Sequence, residues 1–175
     1  MPVSRAAGLL GALLRALLGA LTLACESGTA DTDTSTEERC GPSKATVQEV
    51  IDGDTIVLAS GEKVRYLLVD APEITNGKTD CYGQEAYQYN RDLVLGQEIA
   101  LTYDEQCTDK YGRLLAFVEA ADGELNTLLI DRGFACYLYI PPDGAARAAE
   151  FENLEFGAHQ ALRGLWGLCP DVTCD

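Results

Sequence analysis

Residues 50–73 read VIDGDTIVLASGEKVRYLLVDAPE, and the parsing of this stretch decides the fold. Val50 ends a strand-like run that starts at Ala45, and IDGD follows as a turn around Gly53. Residues 54–59 read as a second strand and Ser60-Gly61-Glu62 as a short hairpin connection. Residues 63–69 read as a third strand, which Pro72 stops. A parallel sheet needs a helical crossover between successive strands, and these three are too closely spaced for one. The stretch therefore predicts antiparallel pairing.

Outward from it, the periodicity changes. Ala86, Tyr89, Leu93 and Val94 recur at helical spacing and predict a helix over 83–94, with Gly96 just past its end. Strands follow at 98–103 and 114–119, separated by the loop DEQCTDKYGR. A short helix is predicted over 124–132, closed by Gly133. Residues 134–140, FACYLYI, are extended until Pro141-Pro142 breaks them. A last helix is predicted over 144–162, after which Trp166 packs the chain end. This order fits a mainly β fold with helices, a small antiparallel barrel with helices attached.

The chain ends are different in kind. Residues 6–24, AAGLLGALLRALLGALTLA, follow Arg5 as an apolar run follows the basic start of an export signal. A membrane span is the competing reading, but Arg15 would stand in its middle, at about 2.5–3.5 kcal/mol on insertion scales. Leu21-Thr22-Leu23-Ala24-Cys25 resembles a lipobox, in which Cys25 takes a lipid anchor; ordinary cleavage near Ala24 is the alternative. Residues 25–42 read as a flexible stalk without apolar periodicity. One folded domain over 43–174 is left. Of the seven cysteines, a lipidated Cys25 leaves six, an even number suited to disulfides in an oxidising compartment, with the pairing open.

The formal net charge is −15. That excludes a general nucleic-acid coating protein, which should be basic. A polyanionic substrate would need a local positive site, helped by a cation. Asp52 and Asp54 suit a turn without any function. The hairpin, however, sets Asp54 and Asp70 at matching ends of neighbouring strands, where their repulsion invites a hard cation such as calcium or magnesium. Arg65 lies on the path to the same end, and Arg113 closes TDKYGR beside Lys110. A guanidinium fork matches phosphate oxygens. Tyr111, Tyr137 and Tyr139 could stack on bases or serve as sheet packing. The single histidine, His159, falls on the last helix, so histidine-based metal or general-base chemistry is disfavoured. Neither a nucleophile elbow nor a phosphate-binding glycine loop occurs.

Taken together, IDGDT, RYLLVDAPE, TDKYGR, RGFACYLYIPP and the closing RGLW resemble the thermonuclease (staphylococcal nuclease-like) family over about residues 45–168. The resemblance implies an OB-type five-stranded antiparallel barrel with three attached helices. It implies a calcium site formed by Asp54, Asp70 and the carbonyl of Ala71, where the family usually has threonine. It implies Glu73 as the carboxylate base, and Arg65 and Arg113 as phosphate-binding catalytic residues. Lys110 and Tyr111 would lie near a terminal phosphate. Tyr137 and Tyr139 would contact the nucleotide if two residues are missing before Tyr137. The implied activity is calcium-dependent cleavage of DNA and RNA, with little base specificity and 3′-phosphate products, by an exported monomer. The alternatives are a non-catalytic OB-type oligonucleotide-binding module of the cell envelope and a structural envelope lipoprotein.

Overall fold

A computed structural model describes residues 40–172. The predicted signal, the proposed lipid site at Cys25 and most of the predicted stalk lie outside them. The described strands are β1 (Lys44–Val50), β2 (Thr55–Leu58), β3 (Lys63–Tyr66), β4 (Val69–Asp70), β5 (Glu98–Thr108), β6 (Leu114–Ala120), β7 (Gly123–Glu124) and β8 (Cys136–Tyr137). The helices are α1 (Gly83–Val94), α2 (Leu125–Asp131), α3 (Ala148–Gln160) and a single turn, α4 (Leu165–Leu168). None of the described helices is long and apolar enough to cross a membrane.

The sheet runs β3-β2-β1-β5-β6, and β3 also pairs with β6, which closes a five-stranded barrel of the OB type. The three longer helices pack against it. The hairpin pairings are antiparallel, as the short connections require. The closing pair is parallel, with Val64 beside Leu114, Arg65 beside Leu115 and Tyr66 beside Ala116. The barrel is therefore mixed, a seam that hairpin reasoning does not reach. Ile56, Leu58, Val64, Ile99, Leu101 and Val118 fill the interior at 0–1 % exposure. The buried Leu125, Leu129, Ile130 and Phe151 of α2 and α3 continue this core.

Three local expectations change. The third strand ends at Tyr66 rather than at Val69. Leu68 takes a positive φ of 62°, and Val69–Asp70 leaves the barrel to pair with Cys136–Tyr137. The strand predicted over 98–103 runs on to Thr108, which shortens the loop before Arg113. The last helix starts at Ala148, because 143–147 are turns, and Leu165 rather than Trp166 carries the buried side chain near the chain end.

Polar groups are buried where they tie the seam. Asn126 accepts from the Val118 amide at 2.8 Å and donates to the Leu67 carbonyl at 2.8 Å, satisfying backbone where the β3–β6 pairing stops. Disulfides join Cys40 to Cys107 and Cys81 to Cys169, and Cys136 is disulfide-bonded as well. Such bonds are consistent with an oxidising compartment.

Candidate active site

The IDGD turn is built from both sides. Asp52 does what its turn position suggests, since its Oδ1 accepts the Asp54 amide at 3.1 Å. Burial, and then the neighbouring Asp54 charge, push its carboxyl up to about 7. Gly53 is required by packing: a Cβ there would stand 2.5 Å from Ala71 Cβ and 2.9 Å from Ala86 Cβ. Asn90 of α1 accepts from the Tyr66 hydroxyl at 2.9 Å and donates to the Asp52 carbonyl at 3.1 Å. Sequence reasoning missed Asn90. A polar residue at 90, on the same helix face as Ala86 and Val94, was the available signal.

Asp54 is 4 % exposed. Its Oδ2 accepts the Ala71 amide at 2.7 Å and its Oδ1 the Thr55 hydroxyl at 3.0 Å. The turn thus grips the DAPE segment. Asp70 sits on β4, not at the end of β3 as the strand parsing had it, and a guanidinium joins it to Asp54. Arg65 Nη1 lies 2.9 Å from Asp54 Oδ2 and Nη2 lies 3.1 Å from Asp70 Oδ1. Arg65 also donates to the carbonyls of Val69 and Tyr66. Charge and geometry together fix the fork.

The parallel seam explains how the second arginine arrives. Arg65 pairs with Leu115, two residues past Arg113. Arg65, Lys110, Tyr111 and Arg113 thereby line one open cleft of about 610 Å³. The extended run contributes Leu138 and Ile140 to its wall. Tyr137 and Tyr139 alternate with these residues along the run. The Tyr137 amide instead donates to Glu155 of α3 at 2.8 Å, and burial, then Glu152 and Glu155, raise its phenol.

Glu73 follows Pro72 on a partly buried segment. Its Oε1 accepts from the Thr75 amide at 3.1 Å and the Thr75 hydroxyl at 2.5 Å. Burial works to raise this carboxyl, but the bonds from Thr75, helped by the Ile74 amide and the Lys78 charge, hold the group below its ordinary value. Asp109 is a second residue that sequence reasoning passed over. It closes the turn before Arg113 and binds the guanidinium on Nε and Nη2.

A hard cation prefers oxygen donors. The Asp54 and Asp70 carboxylates and the Ala71 carbonyl are such a set, and the 2.7 Å bond from Ala71 to Asp54 keeps two of them together. Among the described residues no group of three or more His, Cys, Asp or Glu side chains is arranged to hold a metal ion. The donor chemistry suits a hard cation, and in this structure the Arg65 guanidinium bridges the two aspartates.

A family model described as "Staphylococcal nuclease homologue" matches residues 63–167. The thermonuclease of Staphylococcus intermedius is 37% identical over 125 residues, 69% of this chain and 74% of that protein. Endonuclease YncB of Bacillus subtilis strain 168 is 42% identical over 135 residues, 73% of this chain and 64% of that protein. The thermonuclease of Staphylococcus hyicus is 33% identical over 125 residues, 69% of this chain and 73% of that protein.

Proposed function

The chain belongs to the staphylococcal nuclease family, and from that premise we propose an exported, calcium-dependent nuclease that cleaves DNA and RNA and leaves 3′-phosphates. The observation that supports it best is the meeting of two arginine forks on one cleft, with Arg65 bonded to Asp54 and Asp70. Arg65, Lys110 and Arg113 gather on this cleft the phosphate-binding donors that a polyanion needs in so acidic a chain.

Calcium held by Asp54, Asp70 and the Ala71 carbonyl would neutralise phosphodiester charge. Arg65 and Arg113 donate to the phosphoryl oxygens as negative charge grows in the transition state. Lys110 and Tyr111 bind an adjoining phosphate, with Tyr111 72 % exposed and the Lys110 ammonium 5.0 Å from its ring centre. Tyr137 and Tyr139 are the proposed contacts to the nucleotide itself. Glu73 orients the attacking water and receives its proton; the bond from phosphorus to the 5′ oxygen breaks, and that oxygen leaves as a hydroxyl with a proton from solvent. Because Thr75, Ile74 and Lys78 together keep this carboxylate below its ordinary pKa, orientation carries more of its effect than basicity. Contacts to backbone and sugar give little base preference.

Outside the described residues, the proposal takes 1–24 as the export signal, Cys25 as a lipid anchor and the following stalk as a tether for a monomeric domain. The test is cleavage of DNA and RNA by the purified chain with calcium, then with chelator, with end-group analysis of the products. Calcium-dependent cleavage that drops with Glu73→Gln supports the reading. Equal rates with chelator, or an unaffected variant, exclude it.

A further inference from the structure

Glu73 stands on a segment fastened by residues that the proposed chemistry does not use. Its amide donates to Asp80 Oδ2 at 3.1 Å, and its carbonyl accepts the Asp80 amide at 2.9 Å. The Asp80 carbonyl in turn accepts the Gly83 amide at 3.1 Å. Gly83 packs directly under the neighbours of Glu73: a Cβ on it would stand 2.9 Å from the Pro72 oxygen and 2.6 Å from Ile74 Cγ2. Beyond Asp80 comes Cys81, which is bonded to Cys169. Pro72, Asp80, Cys81, Leu165 and Cys169 line one small cleft. The Cys169 amide donates to Leu165, and the Leu165 amide donates to Gly133, at 3.0 and 2.9 Å. Leu165 is 1 % exposed. A covalent path therefore runs from the core to the foot of the loop after Glu73. The loop is held by local hydrogen bonds rather than by packing, since residues 76–81 are exposed and Asn76 and Gly77 both take positive φ.

We propose that Asp80 and the Cys81–Cys169 disulfide are positioning residues for Glu73, so that the site becomes competent only when this disulfide forms. The inference rests on the role given to Glu73 above. Formation joins two thiols through a new S–S bond. The two electrons reduce the disulfide of an acceptor, protein or small molecule, by thiol–disulfide exchange, and the two protons end on the acceptor thiols. Before export, in a compartment that keeps Cys81 and Cys169 reduced, the Glu73 segment is held by hydrogen bonds alone. The nuclease is then silent where it would meet the cell's own nucleic acid.

The experiment compares the oxidised full chain with Cys81→Ser/Cys169→Ser and with Asp80→Ala, the disulfide being intact in the latter. A single-stranded oligonucleotide and calcium are the probes. In both variants kcat falls about 10- to 100-fold, while KM and calcium affinity stay near wild type. Amide exchange at 74–80 quickens about tenfold in the double variant, and that at Ile99 and Leu101 does not. Asp80→Asn, which retains an acceptor oxygen, restores kcat. Full kcat in either variant, or unchanged exchange at 74–80 in the double variant, overturns the proposal. If the double variant does not fold, the folded wild-type chain treated with reductant gives the same kcat and exchange measurements for the disulfide, and Asp80→Ala gives kcat for Asp80. An oxidised wild-type chain that fails to cleave overturns the nuclease reading instead, and the exchange data still decide whether the disulfide holds the segment.

Discussion

Asp109 holds Arg113 by two contacts of 2.7 Å, from Nε and Nη2 to the same carboxylate oxygen. Its other oxygen accepts the amides of Tyr111 and Arg113 at 2.9 and 3.0 Å. One side chain thus shapes the turn and aims the fork. Asp109→Ala is expected to lower kcat/KM by about 10- to 100-fold, because a misaimed donor loses transition-state contact. Calcium affinity should not move. Steady-state kinetics beside a calcium titration checks both.

The same carboxylate gives a pH signature. Burial raises its pKa, but the bonds from Arg113 and the two amides win, so the folded value lies below the ordinary 3.8. A depressed carboxylate contributes stability that is present above the unfolded pKa and lost as pH falls through the folded one. The stability gap between wild type and Asp109→Asn should therefore shrink on acidification below 3.8. Urea denaturation at a series of pH values measures it.

Arg65 bridges two acids, its own side chain being 15 % exposed, that of Asp54 6 % and that of Asp70 21 %. Removing one partner of a buried pair is costly. Arg65→Ala should destabilise the calcium-free chain by about 3 kcal/mol. Calcium should narrow that gap, because a cation bound by the same carboxylates replaces the lost charge. Activity should stay about 10²- to 10³-fold down even with calcium. A gap that calcium leaves unchanged would count against Asp54 and Asp70 as its ligands.

Asn90 is fully buried and serves both Tyr66 and the Asp52 carbonyl. Asn90→Leu strands both groups and should reduce stability by about 1–3 kcal/mol. Its activity should fall by more than that stability loss explains, since the turn carrying Asp54 loses its anchor. Denaturation and kinetics well below the melting temperature separate the two effects.

Gly53→Ala tests the contact between the two acidic segments. The added Cβ would meet Ala71 at 2.5 Å and Ala86 at 2.9 Å, so the turn must shift. Overpacking of this kind costs about 1–3 kcal/mol. Calcium affinity should fall with it, as Asp54 and the Ala71 carbonyl move apart. Calorimetric titration would show whether it does.

Helix α1 matched its predicted bounds because twelve consecutive residues repeat one spacing. The third strand did not, because KVRYLLV is apolar enough to look continuous while the break depends on Leu68 adopting a left-handed backbone. Arg65 and Arg113 stood out as residue types suited to phosphate. Asp109 and Asn90 did not, since an acid in a turn and an asparagine on a helix have ordinary uses in isolation.

The sequence by itself determined the strand and turn pattern of residues 45–66, the chemical types gathered in IDGDT, DAPE and TDKYGR, and the acidic background against which a phosphate-binding site must work. These depend on residues a few positions apart. Tertiary structure decided the parallel seam that brings Arg113 to Arg65, the guanidinium between Asp54 and Asp70, and the pairing of Cys40 with Cys107 and Cys81 with Cys169. Each joins segments whose distance is set by barrel closure and packing register, and local spacing carries no record of either.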